Sequence, residues 1–82
     1  MLTYTMIERN NNIYFVSTQD SMAIVFNKFY VDGIRANEGL YTININDGSQ
    51  VLVTVGADGQ VLDKQTIEPA TTTTTTGAVA SV

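Results

Sequence analysis

The chain has 82 residues and a net charge of -4, from four Lys or Arg against eight Asp or Glu, and it contains no cysteine and no histidine. That composition removes disulfides, most structural metal sites, thiol nucleophiles and histidine bases. The singly scattered Arg9, Lys28, Arg35 and Lys64 offer no clustered positive charge of the kind that sequence-independent nucleic-acid binding needs.

The first residues, Met1 to Thr5, lack the basic start and apolar run of a secretory signal, and no stretch approaches the ~20 apolar residues needed to cross a bilayer. The expectation is a product with no membrane partner and no nucleic-acid partner.

Leu2 to Glu8 alternates in hydropathy as a strand does, and Arg9-Asn10-Asn11-Asn12 is a turn cluster behind it. Ile13 to Thr18 reads as a second strand, broken by Gln19-Asp20-Ser21. Met22 to Tyr30 is the longest apolar run. Met22, Ile24 and Phe26 lie on one face and Ala23, Val25 and Phe29 on the other, so it is expected as a central strand buried on both sides. A helix capped by Asp20 or Ser21 is the competing reading, and the Ile-Val-Phe and Phe-Tyr-Val content favours strand.

Three Asp-Gly pairs punctuate the remainder: Val31-Asp32-Gly33, Asn46-Asp47-Gly48 and Ala57-Asp58-Gly59. Each suits either a two-residue hairpin turn or a three-residue loop closed by glycine in the left-handed conformation, which makes Gly33, Gly48 and Gly59 the turn glycines. The side-chain pattern decides between them at Asp47-Gly48. A two-residue loop would set Ile43 against Leu52 and Tyr41 against Thr54, mixing apolar and polar faces. The three-residue loop pairs Ile45 with Ser49, Ile43 with Val51 and Tyr41 with Val53, and a one-residue slip would move every side chain to the wrong face.

The same count at Ala57-Asp58-Gly59 pairs Val55 with Val61 and leaves Val53 near Asp63, a poor match. Gln60 to Thr66 is therefore expected at a sheet edge, where Asp63 and Lys64 discourage strand addition. Ile34 to Gly39 reads as a loop. These elements predict an all-β fold, a small antiparallel meander of about six strands forming a barrel or sandwich over residues 1–67.

Behind Pro69, the only proline, come six threonines, Thr71, Thr72, Thr73, Thr74, Thr75 and Thr76, and the apolar end Ala78-Val79-Ala80-Ser81-Val82. The Thr run is β-branched but offers no apolar alternation with which to bury a face. Residues 68–82 are expected as an extended arm whose Thr71 to Thr76, Ala78, Val79 and Val82 contact a neighbouring protein by strand addition. A biased, unstructured tail and an extracellular glycosylated stalk are the other readings of the same composition.

The search for chemistry leaves Asp47, Asp58 and Asp63 as the carboxylates close in sequence, enough to consider a calcium site or paired-acid catalysis. Asp before Gly is, however, what a tight turn asks for. The aromatic residues Tyr14, Phe15, Phe26, Phe29, Tyr30 and Tyr41 read as core and subunit interface rather than as a nucleic-acid stacking platform, since basic residues are sparse. No cofactor and no catalytic residue are expected.

Size sets the functional expectation. A domain of residues 1–67 buries only about 60% of the surface its unfolded chain exposes, and without disulfides or metal it must gain stability from other subunits. The sequence therefore predicts a non-enzymatic, homo-oligomeric assembly protein, of the kind that decorates a phage capsid or forms part of its tail, located in a virion. A small β accessory subunit of a cytoplasmic complex, touching its partner through Asn10 to Asn12 and Ile34 to Gly39, is the alternative.

Overall fold

Four tight turns with positive φ at non-glycine residues shape the chain: Asn10 and Asn11 (54° and 68°), Phe26 and Asn27 (50° and 63°), Asp32 with Gly33 (52° and 80°), and Asp58 with Gly59 (61° and 75°). In a hairpin, two successive left-handed residues match the right-handed twist of the flanking strands, so the first three reverse the chain in two residues each. A computed structural model of the chain describes residues 2–69. The Thr run, Ala78, Val79 and Val82, on which the arm expectation rests, lie outside the described residues.

The fold is all β, in two antiparallel sheets. The first is a five-stranded meander of β1 (Thr5–Arg9), β2 (Asn12–Val16), β3 (Ser21–Val25), β4 (Lys28–Val31) and β5 (Ile34–Arg35), neighbours in that order. The second is a three-stranded meander of β6 (Gly39–Asn44), β7 (Gln50–Val55) and β8 (Val61–Ile67). A single 3₁₀ turn, Ala57–Gly59, joins β7 to β8.

The expected central strand Met22 to Tyr30 is two strands. Phe26 and Asn27 turn the chain between β3 and β4, with Val25 paired to Lys28. β3 does sit in the middle of its sheet, but it is not buried on both sides: Ile24 faces the core while Ala23 and Val25 are half-buried. Ile34 and Arg35, expected in a loop, extend the same sheet by pairing with Val31 and Tyr30.

The two sheets close on one core. Ile13, Phe15, Ile24 and Phe29 come from the first, and Ile43, Ile45, Val51, Val53 and Val55 from the second or its loop. Along β7, Val51, Val53 and Val55 are buried while the residues between them are half-buried, the period-two signature of a strand with one face inward. Phe29 meets Tyr41 across the sheets with ring centroids 4.9 Å apart and planes tilted by 57°, within the separation at which aromatic pairs attract.

Two seams tie the sheets at their corners. Tyr4 forms a parallel bridge with Ile45, its N–H donating to Asn44 O at 2.9 Å and its carbonyl accepting from Asn46 N–H at 3.0 Å. At the other corner Lys28 bridges to Gln60, and the Val61 N–H donates to Asn27 O at 2.9 Å. The sandwich is thereby partly closed, in the manner of a small barrel.

Register at Asn46-Asp47-Gly48 follows the three-residue loop: Ile43 pairs with Val51, Tyr41 with Val53, and the Ile45 N–H donates to Ser49 O at 2.9 Å. Gly48 takes φ of 96°, a conformation that side chains resist. At the next turn Val55 pairs with Val61 as the count predicts, but Val53 does not meet Asp63. A bulge between Thr54 and Val55 adds one residue to β8, so Asp63 pairs with Thr54 and Lys64 with Val53. Leu62 is the added residue, packed over Gly56. Among the described residues β8 is an edge strand.

Candidate interaction surface

The three aspartates are not brought together. Asp47 lies before β7 and Asp58 after it, so the six residues of β7 separate them by about 20 Å, and Asp63 faces Thr54 on β8. Among the described residues no three His, Cys, Asp or Glu side chains cluster as metal ligands would. Asp47 instead builds its own loop. Its Oδ1 accepts from the Ser49 Oγ–H at 2.6 Å and from the Ser49 N–H at 2.8 Å, and these bonds hold its carboxyl below the usual range. They also satisfy the hydroxyl of Ser49, which is buried.

A polar cluster that sequence reasoning missed sits where the N-terminal segment crosses the β2–β3 loop. The Tyr4 hydroxyl donates to Asp20 Oδ1 at 2.7 Å, and Ser17 Oγ accepts from Asp20 N–H at 3.0 Å. Burial first, then the Asp20 bond and charge, push the Tyr4 phenol up to about 12. The partners are 16 residues apart, and no spacing rule connects a residue ahead of β1 to one in the β2–β3 loop at that distance. The cluster locks a corner of the fold, and a shallow cleft of about 500 Å³, lined in part by Thr5, Val16, Ser17 and Asn46, opens beside it.

The informative surface is apolar. Phe15 and Phe29 are fully buried, and Tyr41 packs on Phe29. Tyr14 and Tyr30 lie on the outer face of the five-stranded sheet, in the cross-strand row Ile7, Tyr14, Ala23, Tyr30. Phe26, expected in the core, is 89% exposed at the tip of the β3–β4 turn. Ile34, Leu40 and Leu62 are 72%, 68% and 64% exposed. A shallow cleft of about 390 Å³ on the outer face is lined by Ile7, Arg9, Tyr14, Val16 and Ala23, with Ser21 and Met22.

Sheet edges complete the surface. Among the described residues β1 pairs only with β2, and all five of its residues are exposed. β8 is exposed from Leu62 to Ile67. Its Lys64 and Thr66 stand opposite the buried Val53 and Val51 and so lie on the core-side face. A cleft of about 400 Å³ between Thr3, Asn44, Gly48 and Glu68 marks where the chain leaves β8. No helix among the described residues is long and apolar enough to cross a membrane.

Comparison of the chain with protein-family models, with curated proteins and with solved structures finds no match.

Proposed function

We propose that the chain is a non-enzymatic structural protein that assembles with copies of itself and is held in a larger symmetric array by residues 68–82, as a capsid decoration protein or small tail component of a virion is. The observation that supports this reading is the imbalance of its apolar surface. Among the described residues ten hydrophobic residues are buried and nine large hydrophobics remain exposed, four of them by more than 60%. Covering Phe26, Ile34, Leu40 and Leu62 in an assembly would add apolar burial to a unit whose own core is small.

Each contact made by such a unit is weak. Apolar burial contributes about 25 cal/mol per Å² before the ordering of the arm is subtracted, and many copies joined over one surface hold through high effective concentration.

The test is sedimentation velocity of the full chain and of a chain ending at Pro69. The full chain should form concentration-dependent oligomers, and the shortened chain should keep its far-UV circular dichroism while dissociating at higher concentration. A full chain that sediments as a monomer throughout, or a shortened one that associates as strongly as the whole, overturns the reading.

A further inference from the structure

Phe26 occupies a position that backbone sterics reserve for Asn, Asp or Gly. Its φ is 50°, at the first residue of a two-residue turn with Val25 paired to Lys28, and a bulky side chain in the left-handed region is destabilised by about 1–2 kcal/mol. Exposed at 89%, the ring recovers almost none of that cost through packing within its own chain. The turn is nevertheless firmly held: Asn27 Nδ2–H donates to Val61 O at 3.2 Å and Asn27 O accepts from Val61 N–H at 2.9 Å. An aromatic ring displayed at backbone expense on a tethered tip is a preorganised anchor.

The same molecule carries a receptor of matching chemistry. The outer-face cleft is apolar at Ile7, Tyr14, Val16 and Ala23, and Arg9, which also lines it, carries the cation that the face of an aromatic ring attracts. We infer that Phe26 of one copy inserts into the outer-face cleft of a second copy, between β1, β2 and β3. Knob and cleft are different patches, so the contact either closes reciprocally about a two-fold axis or propagates into rings or rows. This rests on the self-assembly reading and names the residue and the site through which it works.

The experiment uses the full chain and three variants: Phe26→Asn, which removes the knob; Val16→Lys, which charges the cleft at a position already 43% exposed; and Phe26→Trp, which keeps an aromatic ring. Sedimentation velocity over a concentration series should show association weakened about thirtyfold by Phe26→Asn and by Val16→Lys, the loss typical of a hot-spot residue, and retained by Phe26→Trp.

An equimolar mixture of Phe26→Asn and Val16→Lys should recover association that neither shows alone, because one contributes an intact cleft and the other an intact ring. At dilutions where every form is monomeric, Phe26→Asn should melt about 4–8 °C above the parent chain, since Asn relieves the turn. Association unchanged in Phe26→Asn, or a mixture that recovers nothing, overturns the inference while leaving self-assembly standing. A parent chain that is monomeric at all concentrations removes both.

Discussion

The Tyr4 hydroxyl donates to Asp20 while the Tyr4 main chain bridges to Ile45, so one residue ties the N-terminal segment, the β2–β3 loop and the second sheet. Its phenol is raised from 10.0 to about 12, and the sign of the linkage follows. The folded chain holds this proton more tightly than the unfolded chain, so the stabilisation is complete below pH 10 and is lost as pH rises from about 10 to about 12. Tyr4→Phe should lower stability at neutral pH by about 1.5–3 kcal/mol, the value of a hydrogen bond to a charged acceptor. Urea midpoints of parent and variant should then converge as pH climbs through that window. A gap that stays constant to pH 12 would mean that the hydroxyl does not govern the corner.

At the scale of elements, β8 shows how an open edge is kept from indiscriminate pairing. The bulge at Thr54/Val55 turns Asp63 to the outer face and sets Lys64 opposite the buried Val53. The lysine stem can lie along apolar neighbours while its ammonium stays in water, and a charge on the core-side face of an edge strand obstructs a flat apolar partner. Lys64→Val should stabilise the isolated chain by about 0.5–1 kcal/mol through cross-strand packing, yet raise light scattering on standing as edges pair without specificity. A variant that is more stable and scatters no more than the parent would show that Lys64 guards nothing.

How far such elements could be read from residues alone depended on whether a rule tied side-chain chemistry to backbone conformation. Asn46-Asp47-Gly48 was legible because a slipped register would have put Ile43 and Tyr41 against the wrong partners, and β6 and β7 pair as that logic requires. The turn at Phe26-Asn27 was hidden because phenylalanine is a strand residue by propensity and a poor occupant of φ = 50°. The β8 bulge left only the misfit of Val53 with Asp63 as its trace. The candidate surface was less legible still. The aromatic residues were visible, but which of them turned outward depended on that hidden turn, and the Tyr4–Asp20 contact depended on a seam between sheets.

For the whole molecule the question is whether one core stabilises two sheets. Among the described residues six large side chains are essentially inaccessible, Phe15, Phe29, Ile43, Val51, Val53 and Val55, and the sheets are also tied by main-chain bridges at Tyr4–Ile45 and Lys28–Gln60 and by the Asn27 Nδ2–H bond to Val61 O. Self-association that covers Phe26 and the outer face adds free energy only to the folded state, so the melting temperature must rise with protein concentration by mass action. For a dimer in a domain of this size the slope is about 3–6 °C per tenfold in concentration. Differential scanning calorimetry of the parent chain across two decades should show that slope, and Phe26→Asn should flatten it while starting from a higher value at the dilute end. The crossing of the two curves is the signature to look for, because a residue that only packed within its own chain would shift both ends together. A parent curve already flat would return the stability of the fold to its own six inaccessible side chains and leave the exposed ring unexplained.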